Sequence, residues 1–99
     1  MYREFKDQPQ HDSFAELVKH LKWRYRRTHP EETEGLHYQF NEQCLADDRS
    51  GFLKAERLEA PATGSMPRTE TVLIEDNRVA GYQIEEQPPE GMEPWRWLG

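Results

Sequence analysis

The sequence predicts a single α+β domain in which one N-terminal amphipathic helix packs on an antiparallel β-meander of three to four strands. Three observations predict it. Apolar residues between Phe14 and Tyr25 recur at helical spacing, those between Leu36 and Phe40 alternate as in a strand, and two further strand-like runs flank a short polar turn. Ninety-nine residues make one domain at most, 1–99, with 1–12 an arm or short edge strand and 88–99 an aromatic tail expected to dock on the rest.

The helix starts at Ser13. Ser13-Phe14-Ala15-Glu16 fits a capping box, a hydroxyl at the N-cap and a carboxylate three residues on. Phe14, Leu17, Val18, Leu21 and Tyr25 fall in one stripe at about 100° per residue. Pro30 disfavours helical geometry at His29, so the helix should end near Thr28. Arg24, Arg26 and Arg27 lie in the last turns, where the helix dipole favours cations.

Residues 29–35 form a polar linker closed by Gly35. Leu36 to Asn41 alternates apolar and polar and reads as a strand that runs on towards Cys44-Leu45. Residues 46–51 have turn chemistry. Residues 52–60 are rich in helix formers, yet a Gly-closed turn after a strand favours the second arm of a hairpin, and the reading here is strand. Residues 61–68 are a loop by composition. Residues 71–74 and 79–84 form a tight hairpin through Glu75-Asp76-Asn77-Arg78, and Gly81 marks a bulge or a close backbone approach. Pro88-Pro89 ends the sheet, and Trp95 or Trp97 should pack on the sheet or the helix. A helix followed by a meander resembles the cystatin-like layout in outline. No residue motif of that superfamily is present, so the outline implies a shape and no activity.

Composition bounds what such a chain can do. Apolar residues are 34%, charged residues 32% and mean hydropathy −1.10, values that approach those of disordered chains. An aromatic fraction of 11% and the patterning argue for a fold, with a core of few but large side chains or with a homodimer burying more. Cys44 cannot form an intrachain disulfide and reads as a small buried hydrophobe. No apolar run suits a signal peptide or a membrane span, and a cytoplasmic setting follows by default. Residues 1–30 hold seven Lys/Arg against four Asp/Glu, whereas 31–99 hold six against fifteen, so a basic element stands in a chain of net charge −6.

Motifs for catalysis are weak. His11, His20, His29, His37 and Cys44 show no metal-ligand spacing, and neither a metal nor another cofactor is expected. The carboxylate pairs 31–32, 47–48, 75–76 and 85–86 read as solubilising charge, because adjacent residues on a strand or turn point apart. Residues 47–51 lack the alternating ligands and the closing Glu of a calcium loop. Were there a pocket between helix and sheet, His37, Tyr38 and Tyr82 would stand at its rim. Trp23 and Tyr25 beside the helix cations could stack bases, but the net charge argues against nucleic acid. A membrane-surface role would take the apolar stripe away from the core.

The most informative residue is Trp23. It lies opposite Phe14 on the helical wheel, among Glu16, Lys19, His20, Arg26 and Arg27. It is a binding anchor, or it is covered by its own chain or a dimer partner, or it is tolerated in the open. The function expected is a non-enzymatic, protein-binding accessory role of adaptor or inhibitor type. Its partner is an unidentified protein, and its surface comprises Trp23, Lys19, His20, Arg26 and Arg27 with Trp95 and Trp97. Two alternatives stand beside it: a small-ligand binder or enzyme using the helix–sheet pocket, and an acidic mimic of nucleic acid drawing on the carboxylates of 31–99.

Overall fold

The computed structural model describes residues 2–28, 38–57, 69–85 and 95–98, with the side chains of Arg57 and Arg96 excepted. The linker 29–35, the expected strand residues 36–37 and 58–60, the loop 61–68 and the Pro88-Pro89 stretch lie outside the described residues. Strand β1 (Tyr2–Glu4) is followed by helix α1 (Phe14–Thr28), strands β2 (Tyr38–Cys44), β3 (Gly51–Arg57), β4 (Thr69–Glu75) and β5 (Arg78–Ile84), and a 3₁₀ turn (Arg96–Leu98). The strands form one antiparallel sheet in the order β1-β5-β4-β3-β2. The class is α+β, with one strand more than the three to four expected. The addition comes from the arm, where Tyr2, Arg3 and Glu4 pair with Gln83, Tyr82 and Gly81. Of the two readings of that segment, arm or short edge strand, the second holds for these three residues.

Helix α1 begins and ends where its caps dictate. The Glu16 amide donates to Ser13 Oγ at 3.1 Å, satisfying one of the free donors of the first turn. At the other end the Thr28 hydroxyl lies 3.1 Å from the Arg24 carbonyl and 3.2 Å from that of Tyr25, so it serves acceptors of the last turn. The buried face is Phe14, Leu17, Val18, Leu21 and Tyr25, the stripe the spacing predicts.

Residues 51–57 are a strand, paired on both sides. The helix formers there yield to tertiary pairing: Leu53 and Ala55 face α1 from the middle of the sheet and are buried. The hairpin β4–β5 turns on Asp76 and Asn77, both at positive φ (51° and 57°), the type I′ geometry that matches strand twist. Val79 and Tyr82 are three residues apart yet both buried, which a regular strand forbids. A register shift resolves this. Leu73 pairs with Gly81 and Ile74 with Val79, leaving Ala80 as the extra residue of a bulge. Gly81 also accommodates a close approach, since a Cβ there would lie 2.6 Å from Tyr2 Oη. The edge tyrosine thus covers the glycine on the face away from the helix.

The core is built from the helix stripe, Leu53, Ala55, Val72, Ile74, Val79, Tyr82, Ile84, Trp97 and Leu98. Trp97 is fully enclosed. Its ring meets Tyr25 edge-on at 5.2 Å and Tyr82 at 6.4 Å, and Arg24 Nε donates to its carbonyl at 2.7 Å. Few apolar residues suffice because the largest ones fill the space between helix and sheet.

The β2–β3 hairpin depends on Gly51. Its φ of 158° belongs to a region open to glycine alone, and a Cβ there would sit 1.9 Å from the Gln43 carbonyl oxygen. Gly51→Ala is expected to cost about 2–3 kcal/mol, read from urea unfolding. An unchanged midpoint would mean that the hairpin tolerates the shift.

Candidate interaction surface

Helix α1 sorts its polar side chains onto two flanks. The flank towards the arm holds a row of rings. His11 and His20 are 5.3 Å apart, His20 stacks on Trp23 at 6.1 Å, and the Arg27 guanidinium lies 4.8 Å over the Trp23 ring. Helical spacing of three and four places His20, Trp23 and Arg27 in line. The arm delivers His11, whose amide donates to the Asn77 carbonyl at 3.0 Å. Trp23 remains 52% exposed. Its indole is supported on two sides by its own chain and open on the outer one.

The flank towards β2 is separate. Lys22 pairs with Glu42 at 2.6 Å and lies 5.7 Å from the Phe40 ring. Arg26 Nε donates to the Tyr38 hydroxyl at 3.3 Å and its guanidinium is 5.4 Å from Phe40. With Lys19, these side chains rim a depression floored by Ala15 and Val18.

Of the residues singled out in the sequence, Trp23, His20 and Arg27 therefore form one group, and Lys19 and Arg26 another. Trp95 and Trp97 join neither. Trp97 is a core residue with no surface to offer, because the tail enters the space between α1 and β5. Trp95 is half-buried under the Arg3 guanidinium, 4.5 Å from its ring. The three residues proposed for a pocket rim do not share one. Tyr82 is fully buried in β5, Tyr38 is half-buried on β2 three strands away, and His37 lies outside the described residues. Cys44, expected in the core, is exposed at the end of β2, and neighbouring protein atoms together with the Asp48 and Asp47 carboxylates hold its thiol above the ordinary range.

Two residues escaped the sequence reading. His11 joins the row through a backbone contact with a turn 66 residues away, for which no local signal exists. Glu70 is 2% exposed, and its Oε1 accepts from the Tyr82 hydroxyl at 2.7 Å and from Trp97 Nε1 at 3.2 Å. A signal for Glu70 was present, since alternation back from Ile74 and Val72 puts position 70 on the inner face. Burial, the Glu70 charge and the hydrogen bond to Glu70 push the Tyr82 hydroxyl far above its ordinary range. Both groups therefore hold the tail in place. Among the described residues, no group of three His, Cys, Asp or Glu converges to hold a metal ion, and no helix is long and apolar enough to cross a membrane.

Comparison of the chain with protein-family models, with curated proteins and with solved structures finds no match. The side chains themselves must carry the functional argument.

Glu70→Ala leaves a buried hydroxyl and a buried indole N–H without this acceptor and should cost about 3 kcal/mol, whereas Glu70→Gln, which keeps a carbonyl oxygen there, should cost less. Equal losses in chemical denaturation would assign the whole effect to the charge.

Burial, His11 and Arg24 lower the pKa of His20 below 6.5. The unfolded chain then takes up the proton first, so stability falls as the pH drops through 6.5. Melting temperatures between about pH 7.5 and 5.5 should decline in the wild type and flatten in His20→Gln. A profile identical in the variant would remove His20 as the cause.

Proposed function

We propose that this protein is a non-enzymatic interaction module of adaptor or inhibitor type, which binds a partner protein through the Trp23 face of α1. The carrying observation is a half-exposed tryptophan held in a supported row with His11, His20 and Arg27, opposite the face that builds the core. Trp and Arg dominate the energetics of protein interfaces, and a ring already braced by its neighbours loses little freedom on binding. The row carries a guanidinium at one end and two imidazoles at the other, so it suits a partner surface offering an apolar pocket with hydrogen-bond acceptors around it. A cytoplasmic setting belongs to the same proposal, and so does the absence of a catalytic role.

The pocket reading lacks support of this kind. Tyr25, Trp97 and Tyr82 pack against one another where such a pocket would open.

Trp23→Ala removes a half-exposed side chain opposite the core face, and its melting temperature should stay within about 4 °C of wild type. Affinity capture from native lysate, wild type beside variant, should show a stoichiometric protein retained by the first and lost by the second. A partner kept by both would place the contact elsewhere, and a large loss of stability would make Trp23 structural.

A further inference from the structure

The two edges of the sheet differ. β1 closes one edge with three residues. β2 forms the other with seven, and among the described residues nothing pairs with its outer side. Antiparallel pairing alternates the direction of backbone polar groups. The Leu45 amide donates to the Ser50 carbonyl at 2.7 Å, which sets the phase. Gln39, Asn41 and Gln43 then bond to β3, and the Gln43 carbonyl lies against Gly51 in agreement. The N–H and C=O groups of Tyr38, Phe40, Glu42 and Cys44 point outward. Proteins blunt such edges with proline, lysine, bulges or short strands. β2 has no proline, no lysine and no register shift.

What lies beside that edge selects the occupant. On the helix side runs the depression of about 270 Å³ rimmed by Lys19, Lys22, Arg26 and Glu42. Glu42 is neutralised by Lys22, whereas Lys19 and Arg26 have no carboxylate partner among the described residues. On the other side the edge presents Gln39, Asn41 and Gln43, polar and uncharged. A second copy paired through β2 would bring the two cationic flanks together, which like charges oppose. A strand with carboxylates on its helix-facing positions meets no such penalty.

We propose that the outer edge of β2 and the Lys19/Arg26 flank of α1 together bind an extended acidic segment of a partner protein as a sixth strand. Main-chain hydrogen bonds to Tyr38, Phe40, Glu42 and Cys44 supply the register, and alternate carboxylates reach Lys19 and Arg26. This surface lies on the β2 side of α1, with Lys19 and Arg26 one helical turn from Trp23, and its main-chain contacts to β2 do not rest on the reading given for the Trp23 row.

The test titrates the full chain, labelled with ¹⁵N, with an alternating Glu-Thr heptapeptide and with its Lys-Thr counterpart, and follows amide exchange. At about 100 times Kd, the acidic peptide should slow exchange at Tyr38, Phe40, Glu42 and Cys44 by up to about 100-fold, and the basic one should leave it unchanged. Lys19→Glu with Arg26→Glu should weaken binding by about tenfold or more. Glu42→Pro places a proline where no ladder bond is lost and should abolish binding, with Glu42→Gln retaining it. Trp23→Ala should bind the peptide like wild type, which separates this site from the Trp23 face. Should the charge-reversal variant not fold, weakening of wild-type binding by added salt replaces it. Equal binding of the basic peptide, or protection confined to the Trp23 face, overturns the proposal. So does protection of the four amides by protein concentration alone, which points to a second copy, or by an oligothymidylate, which points to nucleic acid.

Discussion

A chain with one third apolar residues can fold only if the few it has are large and converge, and here convergence depends on enclosing Trp97. The indole comes from the far end of the chain and enters between α1 and the sheet, where Tyr25 meets it from the helix and Tyr82 from β5. Burying an indole leaves its N–H to be satisfied. Glu70 does so, and it takes the Tyr82 hydroxyl as well. A carboxylate inside a small core is costly without donors, so the aromatic cluster and its acceptor are mutually dependent. The Arg24 bond to the Trp97 carbonyl ties the same turn to the helix from outside.

That arrangement explains the division of labour on α1. One face is committed to the core, and the side towards the tail is occupied by Arg24. What remains is the crest bearing Trp23 and the flank bearing Lys19, Lys22 and Arg26. The two differ in physical character. The crest is a row of rings whose neighbours restrain one another. The flank is charge over a shallow apolar floor, next to a strand edge. The first suits recognition by shape, and the second suits recognition by charge and main-chain pairing. Of the helix cations, Arg27 thereby belongs to the crest and Lys19, Lys22 and Arg26 to the flank, where among the described residues Lys22 is neutralised by a carboxylate of the sheet.

The sequence made legible whatever depends on local periodicity and chemistry. The stripe from Phe14 to Tyr25, the Ser13 cap, the hairpin around Asp76-Asn77 and the unusual place of Trp23 all follow from spacing within a few residues. Gly81 was readable as a bulge or a close approach, and it makes the close approach, while the bulge residue is its neighbour Ala80. The rest depends on contacts distant in sequence. The arm was readable as a short edge strand, but its partner was not, because the pairing of Tyr2 with Gln83 joins segments distant in sequence. Nothing near His11 announces a bond to Asn77. Trp95 and Trp97 look alike in sequence, two apart in one tail, yet one is half-buried under Arg3 and the other, inside the 3₁₀ turn, is enclosed. Cys44 illustrates the opposite error. Its type is commonly buried, but its position at the end of an edge strand decides its exposure.

An antiparallel sheet that is not closed must end twice, and each end leaves a row of backbone groups without partners. At β5 the arm adds the three-residue β1, with Tyr2 covering Gly81 and Arg3 lying over Trp95, so that side ends in a short strand. At β2 it places Phe40 and Tyr38 beneath Lys22 and Arg26, which shields the side chains, while among the described residues no strand pairs with the outer backbone edge. Cations above an open edge discourage pairing with an identical edge, since two such flanks repel. They do not discourage a strand of opposite charge. A feature that protects against self-association therefore also defines which partner the edge accepts, and the same few side chains account for both.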